Sequence, residues 1–124
     1  MTYVTGVLIV DDQECFRRAA QSLVSATAGF DAVADSASAE EALEAAVQLK
    51  PDLVLVDVRM PGIDGLETSR RLRSVVPEAV VVLVSADPEP DPEQVDASGA
   101  AAFVPKEELN RSMLQGLWQQ HRDG

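Results

Sequence analysis

Residues 53 to 67 read LVLVDVRMPGIDGLE. Four branched apolar residues, Leu53 to Val56, run straight into a carboxylate, Asp57. The run is too short for a helix and shows no polar alternation, so it predicts a strand buried on both faces. Pro61 and Gly62 then turn the chain away. Asp64, with Glu67 three residues on, is a capping signal for a helix that carries Leu66 and Leu72 to about Ser74. An aspartate at the end of a buried strand is either a turn-initiating residue or a reactive group.

The pattern repeats on both sides of this stretch. Val7 to Val10 and Val80 to Val84 are equally apolar and short, the latter within a strand read as Ala79 to Val84. Phe30 to Val33 and Ala102 to Val104 are weaker strand candidates. Cys15, Phe16, Ala19, Ala20, Leu23 and Val24 recur at helical spacing. Ser38 and Glu41 form a capping box. The helix they open carries Leu43, Ala46 and Val47 on one face and stops before Pro51. A last helix is expected from Glu107 to about Gln120, with Leu109, Met113, Gly116 and Leu117 on one stripe. Leu114 and Trp118 form a second stripe, read as packing on the sheet in preference to a partner or dimer contact.

Strand and helix thus alternate five times, which predicts an α/β fold. The expected architecture is one doubly wound, five-stranded parallel sheet with helices on both faces. The fourth helix is the exception. Residues 87 to 96, DPEPDPEQVD, hold three prolines and five acids. Any helix there must be short or irregular, starting near Pro92 and lasting about two turns. An acidic solvated loop is the favoured reading.

The chain has 124 residues, of which 46% are hydrophobic. That suits a single domain, residues 1 to 124, with one packed core. The formal net charge is −11, which disfavours nucleic acid binding by this chain and favours basic partners or bound cations. The single cysteine, Cys15, allows no internal disulfide and is read as a small core residue. No secretory signal and no membrane-spanning run is recognisable, so the expectation is a cytoplasmic domain off the membrane. His121 is read as a solvated side chain.

The polar residues converge once they are set on these strands. Asp11 and Asp12 follow the first strand, Asp57 the third, Ser85 the fourth, and Lys106 lies just past the fifth. All fall at carboxyl ends of strands, the edge where open parallel sheets bind ligands. Taken singly, Asp11 and Asp12 suit helix caps, Ser85 a turn and Lys106 a surface charge. Taken together, three converging carboxylates repel one another and call for a hard divalent cation, for which oxygen ligands suit Mg2+. A carboxylate beside such an ion is also a nucleophile able to form an aspartyl phosphate. Lys106 and the Ser85 hydroxyl supply the cation and hydrogen-bond donor that phosphoryl oxygens need.

These residues resemble the receiver domain of bacterial two-component response regulators. The matching pieces are VLIVDDQ (7 to 13), LVLVDVRMPGIDGLE (53 to 67), VVLVSA (81 to 86) and AAFVPK (101 to 106), with wording closest to the NarL/LuxR type. The resemblance implies a flavodoxin-like strand order 2-1-3-4-5. It implies Asp57 as phosphoacceptor, with Asp12, Asp57 and the Arg59 backbone carbonyl on Mg2+ (or Mn2+) and Asp11 holding the metal through water. It implies that Ser85 and Lys106 contact the phosphoryl group and that Phe103 is the aromatic switch residue. The implied phosphodonor is a sensor histidine kinase or a histidine phosphotransfer protein. Output would pass through the fourth helix, fifth strand and fifth helix to a downstream target, an effector domain or a phosphorylation-dependent homodimer. A stand-alone regulator and the receiver part of a DNA-binding transcriptional regulator both fit.

Three departures accompany the resemblance. The spacing from Ser85 to Lys106 is one residue shorter than usual in the family, Pro105 precedes Lys106 instead of following it, and no effector domain follows the fifth helix in this chain. Arg59 and Asp87 occupy positions that tune phosphate lifetime in the family. Being oppositely charged, they are expected either to pair across the site mouth or to be solvated separately. Two other functions compete. One is a degenerate receiver that binds protein partners without phosphorylation. The other is a Mg2+-dependent aspartyl-phosphate phosphatase, which the haloacid dehalogenase pattern argues against because Arg59 stands where that pattern needs an acid. Enzymatic turnover beyond self-phosphorylation and self-dephosphorylation on Asp57 is not expected.

Overall fold

A computed structural model describes residues 3 to 122; the expected domain span of 1 to 124 reaches beyond them at both ends. Chain order is β1 (Thr5–Val10), α1 (Glu14–Ser25), β2 (Phe30–Ser36), α2 (Ala39–Leu49), β3 (Leu53–Asp57) and α3 (Gly65–Val75). Then follow β4 (Val80–Ser85), α4 (Pro92–Ala97), β5 (Ala102–Pro105), a single 3-10 turn over Lys106–Glu108, and α5 (Arg111–His121). The strands form one parallel sheet ordered β2-β1-β3-β4-β5, the order the resemblance implied.

The central strands are apolar throughout because both sheet faces are covered. Leu8, Val10, Val54, Val56, Val81 and Leu83 point to the side covered by α2, α3 and α4. Val7, Ile9, Leu53, Leu55, Val82 and Val84 point to the side covered by α1 and α5. The alternation along each strand is the period-two geometry of a pleated chain. Only the edge strand β2 alternates half-buried with exposed residues, which is why its signal was weaker.

Four expectations need correction. Cys15 is exposed. The buried stripe of α1 runs through Ala20 and Val24, with Phe16 and Leu23 beside it, and Cys15 and Ala19 fall on its flank. On α2 the buried residues are Ala39, Ala42 and Ala46, while Val47 is 52% exposed; one position past Ala46 is a 100° rotation away from the sheet. The last helix starts at Arg111 rather than Glu107, because the Asn110 side chain accepts a hydrogen bond from the Met113 amide at 2.8 Å and caps it there. Its buried residues are Leu114 and Leu117, Met113 and Trp118 pack at the margin, and Gly116 is exposed.

The fourth correction concerns residues 87 to 96. The segment is not all loop: α4 forms over Pro92–Ala97, about as late and as short as any helix there had to be. Asp91 caps it by accepting from the Glu93 amide at 2.9 Å. Pro92 sits in the first turn, where a missing N–H removes no helical hydrogen bond. No α4 residue is fully buried. The helix is held instead by the half-buried Val95 and by Ser98, whose carbonyl accepts from the buried Ser69 hydroxyl at 3.0 Å.

Candidate functional site at the carboxyl edge of the sheet

The strand ends bring the expected residues together. Asp57 and Ser85 are the last residues of β3 and β4 rather than the first residues after them, and Asp57 pairs with Val84 in the ladder. That pairing with β4, and the pairing of β3 with β1 as far as Val56, fix the Asp57 backbone from the core. Asp11 and Asp12 follow β1 directly, and Lys106 opens the 3-10 turn after β5. One carboxylate oxygen each from Asp11, Asp12 and Asp57 lies within 4.8 Å of the others.

The turn after β3 depends on two glycines. Gly62 has φ +77°, a conformation disfavoured for side-chain-bearing residues. Gly65 packs against the backbone it follows: a Cβ there would stand 2.1 Å from the Asp57 carbonyl oxygen. Its amide donates to the Val58 carbonyl at 2.8 Å. Asp64 caps α3 by accepting from the Glu67 amide at 2.9 Å, as its spacing predicted.

Charge in the site is unbalanced. Asp57 is buried, and burial, followed by the charge of Asp11 and then of Asp12, raises its pKa from an ordinary 3.8 to about 6. The Lys106 ammonium and the Arg59 backbone amide pull the other way. Lys106 Nζ lies 2.6 Å from Asp11 Oδ2 and 3.6 Å from Asp57 Oδ1. The closer contact is an ion pair without hydrogen-bond alignment, so the fully buried Asp11 Oδ2 has no hydrogen-bond partner. The Lys106 ammonium compensates its charge, but the oxygen's hydrogen-bonding capacity is unmet. A hard cation would meet that need, and three convergent oxygen donors fit Mg2+ or Mn2+.

Around this centre, the Ser85 hydroxyl accepts from the Asp87 amide at 3.0 Å. Arg59 and Asp87 pair across the mouth at 3.2 Å, both well exposed. Phe103 is half buried, on the sheet face that packs against α3 and α4. Two residues of α1 were missed by sequence reasoning. Arg17 donates to the Asp11 carbonyl at 2.8 Å and pairs with Asp35 at 2.9 Å, tying the β1–α1 loop to the end of β2. The Phe16 ring lies under the Lys106 ammonium, 4.3 Å from ring centroid to Nζ. Neither contact has a local signal, because each joins residues from separate strands and helices.

An open parallel sheet of order 2-1-3-4-5, with an acidic carboxyl edge, a lysine and a strand-end serine, defines a domain of the flavodoxin-like kind. The chain belongs to the response regulator receiver domain family, whose pattern it matches over residues 7–117. Among curated proteins it is similar to the response regulator GacA of Pseudomonas viridiflava, 38% identical over 112 residues. That alignment covers 90% of this chain but 52% of the relative, so the chain spans about half the length of the curated relatives it matches. Among solved structures it is similar to the signal receiver domain of the putative response regulator NarL from Mycobacterium tuberculosis. That similarity has 28% identity and a TM-score of 0.82, covering 98% of each chain. A LuxR-family DNA-binding response regulator from Staphylococcus aureus is similar at 25% identity and a TM-score of 0.83, covering 94% of this chain and 98% of that one. Among the described residues no helix is long and apolar enough to cross a membrane.

Proposed function

We propose that this receiver domain is a phosphorylation-dependent switch in which Asp57 accepts a phosphoryl group from a histidine kinase or histidine phosphotransfer protein. The observation that carries the reading is the Asp57 carboxylate, fixed at a strand end with Asp11 and Asp12 in reach and Lys106 at 3.6 Å. An Asp57 oxygen attacks phosphorus, the P–N bond of the donor phosphohistidine breaks, and its electron pair returns to the imidazole. The product is an acyl phosphate, which water hydrolyses to restore the carboxylate. Asp12, Asp57 and the Arg59 carbonyl would hold Mg2+ (or Mn2+) directly and Asp11 through water. The ion would supply charge neutralisation at the phosphoryl oxygens. Lys106 adds the protein's own positive charge there, and Ser85 adds a hydroxyl once it leaves the Asp87 amide.

The output follows from the same movement. If the Ser85 hydroxyl turns to the phosphoryl group, the β4–α4 loop loses an anchor, and Phe103, half buried beside it, has room to move inward. The α4, β5 and α5 surface then changes. That α4 buries none of its residues fully supports a low barrier to this rearrangement. The Arg59–Asp87 pair guards the mouth and slows water attack. Cytoplasmic placement fits the charge and the single cysteine. An effector domain, DNA-binding as in the Staphylococcus aureus relative, fits the greater length of the curated relatives. Intact mass after phosphoramidate with Mg2+ tests the reading: a gain of one phosphoryl mass, absent in Asp57→Asn, is expected. No gain in a folded, Mg2+-saturated wild type would leave a protein-binding module instead.

A further inference from the structure

Lys106 has three neighbours, and they differ in how long they can serve. Its ammonium lies 2.6 Å from Asp11, 3.6 Å from Asp57 and 4.3 Å from the centre of the Phe16 ring, with the lysine side chain only 13% exposed. In the proposed function Asp11 turns to the metal and Asp57 becomes an acyl phosphate, so both carboxylates change as partners. The Phe16 ring neither ionises, nor binds a hard cation, nor accepts phosphate. Its negative face attracts an ammonium within about 6 Å, and more strongly where water is excluded. Lysine, by contrast, sits on a flexible four-carbon stem and loses much rotamer freedom when fixed. The two residues also come from opposite ends of the chain, so the contact joins the first turn of α1 to the turn after β5.

We propose that Phe16 is a positioning residue for Lys106, its ring face holding the ammonium at the acidic edge both before and after Asp57 is phosphorylated. The inference rests on the phosphoacceptor reading. It goes beyond core filling, although the half-buried ring also touches the α1/α5 side of the core.

The test varies the ring's charge at nearly constant volume. Full-length protein carrying 4-fluoro- or 3,4,5-trifluorophenylalanine at position 16 is compared with wild type, Phe16→Tyr and Phe16→Leu. The first readout is the rate of phosphorylation by phosphoramidate at saturating Mg2+. The rate should fall stepwise with fluorination, fall about tenfold in Phe16→Leu, and be largely kept in Phe16→Tyr. The second readout needs no phosphorylation: the Lys106 ε-methylene protons should be shifted upfield by the ring in EDTA, and the shift should vanish in Phe16→Leu. Flat rates across the series in a wild type that is phosphorylated would overturn the inference alone. A normal Lys106 shift in wild type would overturn it as well. A folded wild type that gains no phosphoryl mass would overturn the phosphoacceptor reading on which it rests.

Discussion

Replacing Asp57 by asparagine should stabilise the metal-free protein at neutral pH, an unusual outcome for a buried strand residue. The reason is that the ionised carboxylate is disfavoured where the fold puts it. Its pKa is raised from 3.8 to about 6 by burial and by Asp11 and Asp12. A shift of about two units at about 1.4 kcal/mol each gives about 3 kcal/mol of destabilisation once the group is fully charged. That shift is already net of the attraction of the Lys106 ammonium 3.6 Å away, so the net gain is about 3 kcal/mol. The sign follows from the direction of the shift: a raised carboxylate costs nothing below the unfolded value, and the cost grows as pH rises from 3.8 to about 6. Above that window it is complete. Urea unfolding in EDTA at pH 7.5 should place the asparagine midpoint higher by about 1.5 M, taking about 2 kcal/mol per molar for the slope. The advantage should shrink steadily toward pH 4.5. Saturating Mg2+ should narrow it by binding wild type in preference. An asparagine variant no more stable than wild type at pH 7.5 in EDTA would refute the electrostatic account of the site.

Four further outcomes follow from the same geometry. Lys106→Met leaves Asp11 buried opposite no ammonium, and should cost about 3 kcal/mol in EDTA, with part restored by Mg2+; equal urea midpoints would count against the pair. Gly65→Ala sets a Cβ 2.1 Å from the Asp57 carbonyl, so it should cost about 3 kcal/mol and weaken Mg2+ binding measured by calorimetry. Arg59→Ala breaks an exposed pair, so stability should change by less than about 0.5 kcal/mol, whereas the aspartyl phosphate should decay faster than in wild type by intact mass. Ser69→Ala removes the hydrogen bond that anchors α4 through Ser98, at about 1 kcal/mol; hydrogen exchange should quicken at Val95 and Ser98 while β3 is unaffected.

The strands and most caps were legible for local reasons. Val7 to Val10, Leu53 to Val56 and Val80 to Val84 are apolar on both faces, and only a covered parallel sheet uses such runs. Ser38 and Asp64 cap their helices through the side chains that spacing predicted. Less legible was which apolar helix residue faces the sheet. Cys15 and Val47 belong to hydrophobic runs wide enough to offer several faces, and docking against the strands selected a narrower one that left both outside. The start of α5 was misplaced because Glu107 and Glu108 are good helix formers, whereas Lys106–Glu108 form a 3-10 turn and the Asn110 side chain caps the helix only after it. In residues 87 to 96 the prolines correctly limited α4, but the Ser69–Ser98 hydrogen bond that fastens it spans 29 positions and leaves no local trace.

The sequence by itself determined the alternation of strand and helix, the parallel sheet, and the placing of Asp11, Asp12, Asp57, Ser85 and Lys106 at strand ends. These are properties of short windows, where side-chain period and turn chemistry dominate. Tertiary structure alone decided the electrostatics of that edge. It paired Lys106 more closely with Asp11 than with Asp57, left Asp11 Oδ2 without a hydrogen bond, and slid the Phe16 ring beneath the ammonium. Coulomb and ring–cation energies depend on distances of a few ångströms and on excluded water, and both are set only when four separate strands are packed side by side.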